Sequence, residues 1–112
     1  MNGNKGSYFG ADEQAVAAVA RALGHPARIA IVRLLATRTT CTTGELVAEL
    51  PLSQSTVSQH LKELKAAGLV ESVSGSAREG YALAPGRWVQ VRQLFGTVLG
   101  ELVPAAPTAP PS

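Results

Sequence analysis

The stretch LSQSTVSQHLKELKAAGLV, residues 52–70, constrains this chain more than any other. Val57, Leu61 and Leu64 recur at the spacing of one helix face, and Gln54, Ser55, Thr56, Ser58, Gln59, Lys62 and Lys65 fill the rest. A solvated helix face is more usually written in Glu and Lys, because Ser and Thr are mediocre helix formers. An uncharged polar first turn therefore implies contact with something outside the chain. Ser53 suits the N-cap of this helix and Gly68 its stop.

Three helices are expected before it. In DEQAVAAVARALG, Val16, Val19, Ala20 and Leu23 share helical spacing, with Asp12 as the expected cap and Gly24 as the stop. Pro26 suits the first position of a second helix, whose inward stripe is Ile29, Val32, Leu35 and Ala36. Thr42 with Glu45 three residues on makes a capping box for a short third helix, Thr43 to Leu50, ended by Pro51.

Past Gly68 the pattern changes. Leu69, Val70, Val73, Tyr81 and Leu83 flank a Gly/Ser/Arg tip, which reads as two short strands and a turn. A last helix follows, with Trp88, Val91, Phe95, Val98, Leu99 and Leu102 as a broad apolar stripe. Gly96 and Gly100 weaken its propensity, which suggests close helix packing there. The fold expected is mainly α with a small β-hairpin, in the order α-α-α-α-β-β-α. Residues 1–10 read as a flexible arm, 11–103 as the folded domain and 104–112 as a disordered Pro/Ala tail.

A short helix, a tight turn holding Pro51 and a longer helix with an uncharged polar start describe a helix-turn-helix, whose second helix enters the DNA major groove. The hairpin then serves as a wing. Gln can bond adenine, Ser and Thr can reach bases or phosphates, and the Thr methyl can touch the thymine methyl. Glu would repel phosphate, and none occurs from Gln54 to Lys62. The residues expected at double-stranded DNA are Ser53, Gln54, Ser55, Thr56, Ser58, Gln59, His60 and Lys62, with Arg78 at the hairpin tip. Arg28 and Lys65 are further phosphate candidates.

The rest of the chain agrees. A formal charge of +2 permits nucleic acid without proving it. The single cysteine, Cys41, excludes an intrachain disulfide framework and fits a reducing cytoplasm. No run of about eighteen apolar residues is present to span a bilayer, so a cytoplasmic protein without a membrane partner is expected. No nucleophile-base-orienter set and no phosphate-cradling glycine loop marks an enzyme, and no cofactor is expected. With 112 residues the core is modest, and the first and last helices carry more apolar surface than a small monomer needs.

ALGHPARIAIVRLLA, the 52–70 stretch and the hairpin after it resemble the ArsR/SmtB family of winged helix-turn-helix repressors over about Ala15 to Trp88. The resemblance implies a homodimer joined through the first and last helices, which represses its operator until an inducer binds. The interface residues expected are Val16, Val19, Leu23, Trp88, Val91, Phe95, Val98, Leu99 and Leu102.

Many members of that family sense metals, and there the match breaks. Their thiolate box, Cys-Val-Cys-Asp-Leu, aligned on Glu45 and Leu46 puts Thr42 and Gly44 at the two cysteine positions. A register shifted by one pairs Cys41 with the first thiolate and Thr43 with the second. Soft-metal sites need two to four such ligands. The family's other site uses Asp and His on the last helix, which here has neither, only Glu101. Neither known metal site is expected, and the inducer is unknown. His60 on the recognition helix reads as a DNA-proximal or a core contact, and His25 before Pro26 as a helix cap, in preference to a metal pair. Cys41 is a candidate redox switch, set against the plainer reading of an inert thiol. The competing function is a winged-helix module that binds a partner protein and holds DNA only non-specifically.

Overall fold

The computed structural model describes residues 8–74, 79–100, 102 and 104. Five helices and one hairpin follow in order: α1 (Ala11–Leu23), α2 (Pro26–Thr37), α3 (Thr43–Glu49), α4 (Gln54–Ala66), β1 (Val70–Val73), β2 (Gly80–Leu83) and α5 (Pro85–Gly100). This is the expected winged helix-turn-helix order.

Local chemistry sets most boundaries. Pro26 opens α2, and the Nδ1 of His25 accepts the Ala27 N–H at 3.1 Å to cap it. At α3, Thr42 Oγ1 accepts from the Glu45 N–H at 3.1 Å while Glu45 Oε1 accepts from the Thr42 N–H at 2.8 Å, a closed capping box. Gly68, at φ +76°, ends α4 in a left-handed turn that a side chain would strain. Its N–H reaches the Lys65 carbonyl and the Leu69 N–H reaches the Leu64 carbonyl, the paired bonds of a Schellman cap.

Several sequence expectations give way. On α2, Ile29 and Ala36, expected on the inward stripe, are exposed, and Ile31 fills the core beside Val32 and Leu35. Asp12 lies in the first turn of α1, and the N-cap is Gly10, whose N–H goes to Glu13 Oε1 at 2.9 Å. A Gly at that position leaves the reciprocal Glu to hold the helix start. Leu50 is the C-cap of α3 and no longer part of the helix. Leu102 lies past the end of α5, in a turn. Gly96 and Gly100 are not packing points within the protomer, since a Cβ on either meets nothing within 4 Å. Both stand on the outer side of α5.

The core gathers Val19 of α1, Ile31 and Leu35 of α2, Leu46 of α3, Val57, Leu61 and Leu64 of α4, Leu69, and Val91 of α5. Each such side chain removed from water contributes about 1.5–3 kcal/mol before chain entropy is counted. The three core residues of α4 therefore fix which side it turns outward. The hairpin is antiparallel, with Val70 opposite Leu83 and Val73 opposite Gly80.

Cys41 extends this sheet by one bridge. Its N–H meets the Tyr81 carbonyl at 3.0 Å and its carbonyl accepts from the Tyr81 N–H at 2.8 Å. The pairing needs Gly80, where a Cβ would stand 3.2 Å from the Cys41 carbonyl oxygen.

Candidate nucleic-acid interface

With Val57, Leu61 and Leu64 turned into the core, the opposite side of α4 presents Gln54, Ser55, Thr56, Ser58, Gln59 and Lys62, all exposed. At its start Ser53 Oγ accepts the Thr56 N–H at 3.2 Å, donates to Thr56 Oγ1 at 2.9 Å and lies 3.2 Å from Ser55 Oγ. Three hydroxyls thus gather at the positive end of the helix, where an anion is favoured. The sequence placed these residues together, and the structure does the same.

Further along, the Gln59 side-chain amide donates to Glu63 Oε2 at 3.2 Å. A carboxylate accepts only, so this contact uses the Gln59 nitrogen and not its carbonyl oxygen. Lys65 donates to Ser72 Oγ at 2.9 Å, tying the end of α4 to β1. Arg78 lies outside the described residues.

His60 leaves the expected DNA set. It is 7% exposed, and its Nδ1 accepts from Arg28 Nε at 3.0 Å. The His25 ring lies against it with centroids 4.5 Å apart. Burial first, then the charges of His25 and Arg28, hold its pKa below the ordinary 6.5. The helical turn carries position 60 beside Val57, Leu61 and Leu64, and so away from Gln59. Arg28 is committed with it, because its Nη1 also donates to the Ala22 carbonyl at 3.1 Å. It is a strut between helices, not a free phosphate contact.

Cys41 is 1% exposed, since its bridge to Tyr81 turns the thiol inward. The free thiol is therefore buried in this conformation. The isolated bridge had no sequence signal beyond Gly80.

The expected interface residues divide. Val19 and Val91 are buried in the protomer's own core. Val16, Leu23, Trp88, Phe95 and Val98 are half-buried, while Leu99 is 42% and Leu102 69% exposed. Val89, missed in the sequence because it falls off the Trp88–Val91–Phe95 stripe, is 53% exposed on the outer side of α5.

Comparison with known proteins agrees with this geometry. A helix-turn-helix domain family model matches residues 23–73. The transcriptional regulator CmtR of Mycobacterium tuberculosis is 37% identical over 91 residues, which is 81% of this chain and 70% of the relative. The solved structure of CmtR, described as a cadmium metal-sensor, gives a TM-score of 0.56 at 35% identity, covering 86% of this chain and 95% of that one. An ArsR-like regulator from a Rhodococcus species gives a TM-score of 0.69 at 26% identity, covering 87% and 86%. The transcriptional repressor BigR from Xylella fastidiosa gives 0.65 at 26% identity, covering 84% and 92%. These are regulators of transcription and not enzymes. The chain belongs to the ArsR/SmtB family of winged helix-turn-helix transcriptional regulators, which bind DNA.

Proposed function

We propose that this protein is a homodimeric transcriptional repressor that reads a palindromic operator through α4, with half-sites about one helical turn apart. The observation that carries the reading is the outer face of α4, where hydroxyl and amide side chains stand exposed and the first carboxylate in the helix is Glu63. Ser53 docks phosphate, while Gln54, Ser55, Thr56 and Gln59 supply the sequence preference and Ser58 stands on the same exposed face. Lys62, with Arg78 at the wing, adds affinity that carries no sequence information.

Repression is supported by the resemblance to BigR, which is itself described as a repressor. The homodimer is supported by the apolar side chains left open on α5, Val89 and Leu99, beside the half-buried Phe95 and Val98. Control through cadmium, which CmtR senses, is not part of this reading, because this chain holds one cysteine where the family's thiolate box holds two.

Selection from a pool of random duplexes tests this reading. Enrichment of a two-fold symmetric motif, bound by two protomers in sedimentation, supports it. A pool that stays unenriched, with weak salt-dominated binding, supports the protein-partner alternative.

A further inference from the structure

Arg28 makes two contacts that join three helices. From α2, its Nη1 donates to the Ala22 carbonyl of α1 and its Nε donates to His60 Nδ1 of α4. A guanidinium only donates, so Nδ1 must offer a lone pair. An imidazolium carries protons on both nitrogens and has no lone pair to offer. The contact therefore exists only with neutral His60.

The surroundings leave little room for another charge. The ring is buried, the Arg28 guanidinium stands at 3.0 Å, and the His25 ring lies at 4.5 Å between centroids. His25 also uses its Nδ1, to cap α2. α4 packs on α1, α2, α3 and β1. Among the described residues, Arg28 and His25 are the charged or titratable groups acting on the ring, and both oppose its protonation; α1 contributes the Ala22 carbonyl through Arg28.

We propose that Arg28 and His60 are positioning residues which hold the DNA-reading helix against α1 and α2 only while His60 is neutral, so that acidification loosens the helix and weakens DNA binding. Burial and the two neighbouring groups depress the folded-state pKa below 6.5. For a depressed histidine the stabilisation is complete above the unfolded value of 6.5 and is lost as pH falls through the folded value. The sensitive range thus lies below pH 6.5. The DNA consequence rests on α4 being the reading helix, whereas the titration of the ring does not.

Two measurements on the full chain separate these. Nitrogen-15 NMR of the histidine rings should show His60 Nδ1 unprotonated at pH 7.5, with a midpoint below 6.5 that moves up towards 6.5 in Arg28→Met. Anisotropy on a duplex selected by the protein at pH 7.5 should show affinity falling by up to about tenfold per protomer as pH drops to 5.5, one unit below the released value of 6.5. His60→Gln, which offers Arg28 an acceptor that does not titrate, should lose that excess pH dependence. A His60 midpoint at or above 6.5, or superimposable pH profiles for wild type and His60→Gln, overturns the proposal. Should no duplex be selected at pH 7.5, the DNA reading fails on its own. The latch is then judged by urea unfolding, where an equal loss of stability on acidification in wild type and His60→Gln, or in Arg28→Met if His60→Gln does not fold, refutes it.

Discussion

The indole Nε1–H of Trp88 donates a 2.8 Å hydrogen bond to the carbonyl of Leu69, the residue whose own N–H closes the Schellman cap of α4. The last helix is thereby fastened to the end of α4. A displacement of α5 reaches α4 through one bond and one buried leucine. Trp88→Phe keeps an aromatic ring and removes the donor. It should lower unfolding stability by about 0.5–1.5 kcal/mol, the net worth of one such bond, since Leu69 still accepts from the Ala84 N–H. Urea denaturation checks this, and an unchanged midpoint refutes it.

Gly80 is the residue that lets the hairpin pair with Cys41. In Gly80→Ala the new methyl meets a backbone carbonyl at 3.2 Å, which cannot swing aside as a flexible side chain would. A destabilisation of about 1–3 kcal/mol is expected. The Cys41 thiol, buried in the folded wild type, should react slowly there with an aromatic disulfide reagent and faster in the variant, and rapid reaction in the wild type would contradict its burial.

On DNA, Lys62 and Gln59 should separate by kind. Lys62→Ala should weaken binding to every duplex alike and reduce the slope of log K against log salt by about 1. Gln59→Ala should cost about 1–3 kcal/mol on the preferred duplex and little on a scrambled one. Titrations at three salt concentrations distinguish the two patterns.

The outer face of α5 gives the test of the dimer. Val89→Glu and Leu99→Glu change exposed side chains and spare the protomer's core, so each should leave the helical spectrum intact. Placed in an apolar interface, either carboxylate should shift the protein to monomer in sedimentation velocity. Dimers of undiminished strength in both variants would move the interface elsewhere.

Much of this was legible in the sequence because local chemistry and tertiary packing agree here. The Thr42–Glu45 box, Ser53 before α4 and Gly68 after it each state a boundary through a hydrogen bond or a dihedral requirement. What the sequence hid was long-range. His60 sits among polar neighbours in the chain, and only the approach of Arg28 from 32 residues away makes it a buried acceptor. Val19 and Val91 share stripes with residues that remain open, and periodicity alone does not divide a helix's own core from the surface it offers a second copy. Cys41 precedes a helix, yet its environment is set by Tyr81, 40 residues on.

The central claim is that the exposed face of α4 reads sequence. Its most direct test is anisotropy on the selected duplex and a scrambled control, comparing wild type with a Gln54→Ala, Ser55→Ala, Gln59→Ala variant shown by circular dichroism to be folded. The account predicts a wild-type preference of about a thousandfold or more, and a variant that binds both duplexes at the scrambled-control affinity. A variant that keeps the full wild-type preference would contradict it.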